Sequence, residues 1–165
     1  LPPMDCAFSR AAGRRPSKCA RGATSRSPAG RVMTEASVSG GCLCGQVRFT
    51  VQGPLREVLL CHCSQCRKMS GHFWAASSAP RERVDIYQDT GLRWFQSSKE
   101  AKRGFCSACG SSLFWSHTAK TTLSFAAGAL DGPTGLNTGA HIFFDDASDY
   151  YRVHPDEDTI GGSSY

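Results

Sequence analysis

The sequence lacks an apolar segment long enough to cross a lipid bilayer. None of its hydrophobic runs approaches the roughly 20 residues that a membrane-spanning helix needs, and no signal-peptide core precedes the cysteine-rich part of the chain. It also contains no Ser–His–Asp order, phosphate-binding loop or dinucleotide fingerprint. These absences argue against a membrane partner and against the common hydrolase and nucleotide-binding classes, and they favour a cytoplasmic location.

The sequence also lacks sustained helical periodicity, and it contains short segments in which apolar and polar residues alternate instead. Val47, Phe49 and Val51 alternate with polar residues, which is the pattern of a half-buried strand. Further short apolar runs occur at 58–60, 73–76, 92–95, 113–115, 123–125 and 141–144, and Val84 and Ile86 alternate with polar residues in the same way. We therefore predict a mainly β protein with one domain over residues 37–153, a helical turn only at 64–70, and a mobile polar tail over 154–165.

Positive charge is scarce in the part of the chain that can fold. The 165 residues have a formal net charge of +5, but residues 1–32 hold seven Arg and Lys residues against one acidic residue. The remainder is close to neutral, so its net charge does not support a phosphate-binding surface. We expect no nucleic-acid partner for the folded domain.

The basic N-terminal segment has too few apolar residues to fold alone. Residues 1–36 are rich in Arg, Ala, Ser, Pro and Gly, with Phe8 as their single aromatic residue, and we predict that they are disordered. Three interpretations are open: an organelle transit peptide, a basic arm for an acidic partner, or a segment outside a mature protein that starts at Met33. The lack of a helical apolar face favours the last.

Nine cysteines are the most informative residues of the sequence. Two are isolated, Cys6 and Cys19, and an odd cluster of seven does not suit the even disulfide framework of a small secreted protein. Thiols in Cys-x-Cys and Cys-x-x-Cys pairs favour metal binding, with a redox role as the alternative. The clustered seven are Cys42, Cys44, Cys61, Cys63, Cys66, Cys106 and Cys109.

The seven cysteines divide into a set of four and a set of three. Cys42 and Cys44 form one pair and Cys106 and Cys109 another, with 61 residues between the pairs. Two such pairs complete a four-thiolate structural zinc site, and this site would tie an early strand to a late one. The sequence therefore predicts two zinc ions per chain, one of them purely structural.

The remaining three thiols fall within six residues, at Cys61, Cys63 and Cys66. Zinc takes four ligands, so the fourth position is either closed by a side chain or open for chemistry. His72 is the best candidate to close it, since His62 stands between two ligands and should point away, and His117, His141 and His154 depend on the fold. We favour the open alternative.

An open site with three thiolates suits a particular chemistry. Thiolates acidify a zinc-bound water less than neutral histidines do, so hydrolysis is not its natural task. A soft, thiolate-rich zinc instead suits a further thiol bound as thiolate, which can attack an electrophilic carbon. Arg67 and Lys68 directly follow the last ligand, and they are candidates for offsetting the negative charge or, equally, for a solvated surface pair.

Several sequence motifs resemble those of one known family. These motifs are Gly41-Cys42-x-Cys44-Gly45, Cys61-His62-Cys63-x-x-Cys66-Arg67-Lys68-x-Ser70-Gly71, Phe105-Cys106-x-x-Cys109-Gly110-Ser111, Gly128-x-Leu130-Asp131 and His141-Ile142-Phe143. Together they resemble the glutathione-dependent formaldehyde-activating enzyme (GFA) family, whose domain also occurs in centromere protein V.

The resemblance implies a zinc-binding β-tent of the Mss4-like type. It implies a structural zinc on the four-cysteine set and a catalytic zinc on Cys61, Cys63 and Cys66. It also implies a carbon–sulfur lyase that forms S-(hydroxymethyl)glutathione from formaldehyde and glutathione, so the expected partners are a small thiol and an aldehyde or thioether. The alternative is a non-catalytic, zinc-scaffolded binding module like that of centromere protein V.

Overall fold

Alternation of apolar and polar residues gives most of this chain extended structure. The computed structural model describes residues 37–162, so the disordered segment predicted over 1–36 lies outside the described residues, as do Cys6 and Cys19. Within residues 37–162, no helix is long and apolar enough to span a bilayer. The mainly β class predicted from the sequence is confirmed.

Eleven strands and one α-helix follow each other in the described part of the chain. They are β1 (Ser37–Gly41), β2 (Arg48–Gln52), β3 (Val58–Cys61), α1 (Ser64–Ser70), β4 (Trp74–Pro80), β5 (Val84–Gln88), β6 (Leu92–Gln96), β7 (Ala101–Cys106), β8 (Ser112–His117), β9 (Thr122–Ala126), β10 (Thr138–Ile142) and β11 (Thr159–Ile160). Short 3-10 helices occupy Arg81–Arg83, Ala127–Ala129 and Phe144–Asp146.

The strands form a small sheet and a large one. The small sheet has the order β1-β2-β5, and the large sheet has the order β11-β10-β3-β4-β9-β8-β7-β6. Neighbouring strands are antiparallel except that β10 runs parallel to both β3 and β11. The large sheet therefore places β3, which ends at the three-cysteine motif, close to β4, β9 and β8.

One apolar core packs the small sheet against the large one. Phe49 of β2, Phe114 of β8 and Phe125 of β9 are at most 1% exposed. Phe49 meets Phe114 edge-on, with ring centroids 5.0 Å apart. Fully burying a side chain of this size stabilises the fold by roughly 1.5–3 kcal/mol, so these rings are a main source of stability.

The opposite face of the large sheet is lined by the alternate residues of the same strands. On β9, Leu123 and Phe125 point into the core, whereas Thr122 and Ser124 line a cavity. On β4, Ala79 belongs to the core and residues 74, 76 and 78 line that cavity. The period of two along each strand thus separates a packed face from an open one.

The helical turn predicted at 64–70 is confirmed as α1, and most predicted apolar runs are strands. The sequence analysis did not predict β1, β7 or β11. Because β11 pairs with β10 and the Gly162 amide donates to Asp145 at 2.7 Å, the chain stays attached to the sheet beyond residue 153. The mobility of residues 154–165 stays a prediction.

The run predicted as a strand at 141–144 stops early, because the backbone turns at Phe143. Phe143 has φ 55° and ψ 44°, the left-handed region, and a 3-10 helix begins at Phe144. Its ring is 38% exposed and lines the cavity. A bulky residue in this region stores backbone strain, and here the strained residue lies at the open face of the sheet.

We predict that the protein is more stable with glycine than with alanine at position 143. Alanine keeps the left-handed strain, roughly 1–2 kcal/mol, whereas glycine adopts this conformation freely. The free energy of unfolding in urea should therefore be about 1 kcal/mol higher for Phe143→Gly than for Phe143→Ala. At the exposed strand residue Tyr87, by contrast, the glycine variant should be less stable than the alanine variant. If the glycine variant is also the less stable one at position 143, the backbone strain at Phe143 is refuted.

Candidate functional site

Four of the cysteines meet where two turns lie side by side. Cys42 and Cys44 occupy the β1–β2 connection, Cys106 ends β7, and Cys109 lies in the β7–β8 connection. The four sulfur atoms all lie within 4.8 Å of one another. The two turns are compact because Gly45 and Gly110 adopt φ of 80° and 77°, which places both cysteines of each pair on one side.

Hydrogen bonds hold these four thiols in position. The Val47 amide donates to Cys42 Sγ at 3.2 Å, and Ser111 Oγ lies 3.3 Å from Cys109 Sγ. Hydrogen bonds from the side chain and backbone of Ser111 lower the pKa of Cys109 to about 5. Stabilising the thiolate form prepares this cysteine for metal binding, since the thiolate is the ligand form.

The other three cysteines surround the start of α1. Cys61 ends β3, Cys63 is the N-cap of α1 and Cys66 lies in its first turn. Cys63 Sγ accepts a hydrogen bond from the Cys66 amide at 3.4 Å, as N-cap side chains do. The three sulfur atoms lie within 4.8 Å of one another, so the sequence motif forms one group.

A buried guanidinium lies directly against this three-cysteine group. Both Arg103 Nη1 and Arg103 Nη2 lie 3.6 Å from Cys66 Sγ, and Nη2 also donates to Gln65 Oε1 at 3.2 Å. Arg103 is only 5% exposed. Hydrogen bonds from the Cys61 and Cys66 thiols, with the positive charge of Arg103, hold the pKa of Cys63 far below its ordinary value, so the site favours a thiolate.

The sequence analysis missed Arg103. The signal was present in β7, where Lys102 and Arg103 alternate: Lys102 is exposed and Arg103 is buried. Assigning a strand to this segment would have placed one of the two cations inward. The strand register then decides which groups the inward-facing cation contacts. In that register Arg103 lies opposite Trp115 of β8.

Arg67 and Lys68 are the sequence-based candidates for offsetting the charge or, equally, for a solvated surface pair. Arg67 donates from Nε to the His62 carbonyl at 3.2 Å and from Nη1 to Ser148 Oγ at 2.7 Å. Lys68 is exposed on α1. The structure thus places Arg103, rather than these two residues, in contact with a sulfur atom of the group.

Within residues 37–162, no histidine nitrogen, carboxylate oxygen or further sulfur joins the three-cysteine group. His62 turns away from it, as expected, with Nε2 2.8 Å from His141 Nδ1 and Nδ1 hydrogen-bonded to the Tyr151 hydroxyl. Burial, with the charges of His141, His72 and Arg67, lowers the pKa of His62 to about 4. The His62 ring is therefore held neutral within this hydrogen-bonded cluster.

The other histidine candidates have different neighbours. His72, the best candidate from the sequence, accepts a hydrogen bond from the Phe73 amide at 2.9 Å and stacks on Tyr151 with 4.5 Å between ring centroids. His117 lies 3.4 Å from Glu100, and His154 lies 3.6 Å from Asp156. None of them approaches the three sulfur atoms as a fourth ligand.

The three cysteines open into a cavity on the free face of the large sheet. This cavity has a volume of about 810 Å³, within the range of small-molecule sites. Its apolar walls include Trp74, Trp115 and Phe143, and its hydroxyl groups include Ser124. A small molecule in the cavity can therefore reach the thiols.

Both cysteine groups fit the binding of a thiophilic metal ion. Sulfur atoms within 4.8 Å of one another are close enough to bind one ion, and an all-thiolate donor set selects zinc or a similarly soft metal. The set of four offers as many ligands as zinc takes in a structural site, and the set of three offers one fewer.

Comparisons with known proteins find a related sequence and a similar fold. An uncharacterized lyase of Schizosaccharomyces pombe is 29% identical over 114 residues, which cover 68% of this chain and 82% of that protein. A crystal structure of a Rhodobacter sphaeroides protein has a similar fold, with a TM-score of 0.50 and 24% identity over 58% of this chain and 90% of that one.

The family assignment rests on a separate match. Residues 37–146 match the family described as glutathione-dependent formaldehyde-activating enzyme. This range contains both cysteine groups, Arg103 and all the residues that line the cavity. The chain therefore belongs to the GFA family.

Proposed function

We propose that this protein is a carbon–sulfur lyase that binds a small thiol at the three-cysteine group and forms or breaks a bond between its sulfur and a carbon. Formaldehyde and glutathione, the compounds in the family's description, are the proposed reactants. The observation that carries the proposal is the three-thiol group with an incomplete protein shell at the wall of a large cavity. The lyase named among its relatives supports the same reaction class.

Two zinc ions per chain are the proposed cofactors. Cys42, Cys44, Cys106 and Cys109 would hold a structural ion, and Cys61, Cys63 and Cys66 a catalytic one. A zinc ion at the second site supplies a soft Lewis acid that favours the thiolate form of an incoming thiol.

Arg103 supports thiolate binding from the protein side. The three cysteine thiolates make the site anionic, and a fourth sulfur adds further negative charge. The buried guanidinium beside Cys66 offsets part of this charge at short range and low dielectric. Its fixed fork also orients Cys66 through two hydrogen bonds.

The proposed reaction conserves all atoms. The thiol gives up its proton, the sulfur lone pair forms a bond to the carbonyl carbon of formaldehyde, and the π pair moves to oxygen. That oxygen takes a proton from solvent, which balances the proton that the thiol releases to solvent. The reverse sequence breaks the same carbon–sulfur bond, and the apolar walls from Trp74 and Trp115 limit competing hydration of the aldehyde.

We predict that Cys63→Ser removes one zinc ion per chain and the catalysed reaction. Zinc content is measured by atomic absorption, and product formation from glutathione and formaldehyde is measured by exchange NMR above the uncatalysed rate. The expected result is a fall from two zinc ions to one and a loss of at least ~100-fold in the enzymatic rate.

The control for this experiment is Ser64→Ala next to the same ligand, which removes no thiol. If the enzymatic rate persists in Cys63→Ser after the zinc is lost, the lyase proposal is wrong. A wild-type protein that holds both ions yet neither binds thiols nor accelerates the reaction supports the zinc-scaffolded binding module instead.

We predict that the four-cysteine site stabilises the fold more than the three-cysteine site does. Cys106 is fully buried and its partners lie on a distant turn, so Cys106→Ser should lower the free energy of unfolding by roughly 4 kcal/mol or more. Cys61→Ser, in a ligand set within six residues, should cost clearly less. Equal losses in urea unfolding would contradict the division into structural and catalytic sites.

We predict that Arg103→Met weakens thiol binding while both metals stay bound. Hydrogen bonds to charged groups contribute about 1.5–3 kcal/mol, so the Kd of the cobalt-substituted protein for glutathione should rise roughly 10-fold or more. The measurement is the sulfur-to-cobalt charge-transfer band on thiol titration. Arg67→Met serves as the matched control, and an unchanged Kd in Arg103→Met would refute the assigned role.

A further inference from the structure

The charged groups that line the cavity have one sign. Its basic residues are Arg56, Arg103 and Lys120, and no aspartate or glutamate is among the residues that line it. Arg103 already contacts the sulfur of Cys66. To balance the other two cations, a ligand in the cavity needs negative charge of its own.

Arg56 is the cation with the more defined geometry. Its Nε donates to Ser78 Oγ at 2.9 Å and its Nη2 to the Ala76 carbonyl at 3.0 Å, which fixes the plane of the guanidinium. Nη1 has no hydrogen-bond partner in the described part of the chain. Among residues 37–162, no carboxylate lies within ion-pair distance of Arg56.

An oriented and half-buried guanidinium without an anion is costly. Burial lowers the pKa of Arg56, with no acidic neighbour that opposes the effect. Folding removes water from the charged guanidinium and replaces it only with hydrogen bonds to neutral groups. A carboxylate from a ligand would complete the site, because guanidinium and carboxylate form short, paired hydrogen bonds.

The register of β3 and β4 gives the distance between Arg56 and the cysteines. Cys61 lies opposite Trp74, and Leu59 lies opposite Ala76. The groups that hold the guanidinium, at Ala76 and Ser78, are therefore two and four residues along β4 from the cysteine end. At about 3.3 Å per residue this is roughly 7–13 Å.

We propose that Arg56 is a specificity-determining residue that binds a carboxylate of the thiol substrate, so that the cavity selects thiols with a carboxylate roughly 7–13 Å from the sulfur. The proposal rests on the proposed function, since the same ligand has its sulfur at the three-cysteine group. Lys120, with Nζ 5.2 Å above the Trp115 ring, is exposed at the mouth of the cavity and adds a less directed charge.

Matched ligands test the proposal on the wild-type protein with cobalt at its metal sites. The eight-carbon thiol with a terminal carboxylate is compared with the eight-carbon thiol that ends in a hydroxyl group, and the corresponding three-carbon pair serves as the short control. The Kd of each is read from the sulfur-to-cobalt band. The long acid should bind roughly 10-fold tighter than the long alcohol, whereas the short pair should differ little.

Variants then locate the carboxylate. Arg56→Gln should weaken the long acid to about the affinity of the long alcohol, and Arg56→Lys should restore part of the preference. Arg93→Gln is the matched control, because Arg93 is outside the cavity lining and donates to the Thr90 and Leu92 carbonyls. It should keep the full preference.

The outcomes separate this proposal from the lyase proposal. If all four thiols bind but the long acid and long alcohol bind equally, the carboxylate site is wrong and the thiol site stands. If none of the thiols changes the cobalt spectrum, the proposed function itself is wrong. If the preference survives Arg56→Gln but disappears in Lys120→Met, the carboxylate lies at the mouth of the cavity and the role of Arg56 is refuted.

Discussion

One face of the large sheet packs in the apolar core and the other lines the cavity. The alternation of side chains along each strand assigns every residue to one of these two faces. The face toward the small sheet is filled by aromatic and branched residues such as Phe125 and Leu123. Their neighbours Thr122 and Ser124 line the cavity instead. Because a shift of one residue would exchange the two faces, the apolar core fixes the register, and the register in turn fixes the cavity.

The same constraint explains how a charged group becomes buried next to thiols. Arg103 lies on β7, between Phe95 of the edge strand β6 and Trp115 of β8. Burial of a guanidinium costs several kcal/mol unless an anion compensates it. The cysteine group, in which the pKa of Cys63 is lowered, provides that anion, so the cation and the cysteine group each make the burial of the other less costly.

The sequence was sufficient for the β class and for the division of the cysteines. Both depend on local patterns, namely alternation within strands and the spacing of Cys-x-Cys and Cys-x-x-Cys pairs. The role of Arg103 could not be predicted, because its contact with Cys66 spans 37 positions and needs the pairing of β7 with β8. The backbone turn at Phe143 was equally out of reach, since sequence propensity favours a strand there.

Arg67 shows that the position of a residue in the sequence does not by itself identify its contacts. Because Arg67 follows Cys66 directly, the sequence analysis considered it a candidate for contact with the cysteine group. In a helix, however, successive residues are rotated by about 100° around the axis, so the residue after an inward-facing ligand points sideways. Arg67 accordingly meets the His62 carbonyl and Ser148, and it ties α1 to the segment that follows β10.

Loop closure gives an independent reason to regard the two cysteine groups as different in kind. The stabilisation from joining two points of a chain grows with the length of chain between them. The group of four joins turns that are 62 positions apart at Cys44 and Cys106, so an ion there restricts a long stretch of unfolded chain. The group of three spans six residues that β3 and α1 already hold in place. An ion there would add little to the fold, and the position of this group at the cavity wall agrees with the proposed binding of a thiol.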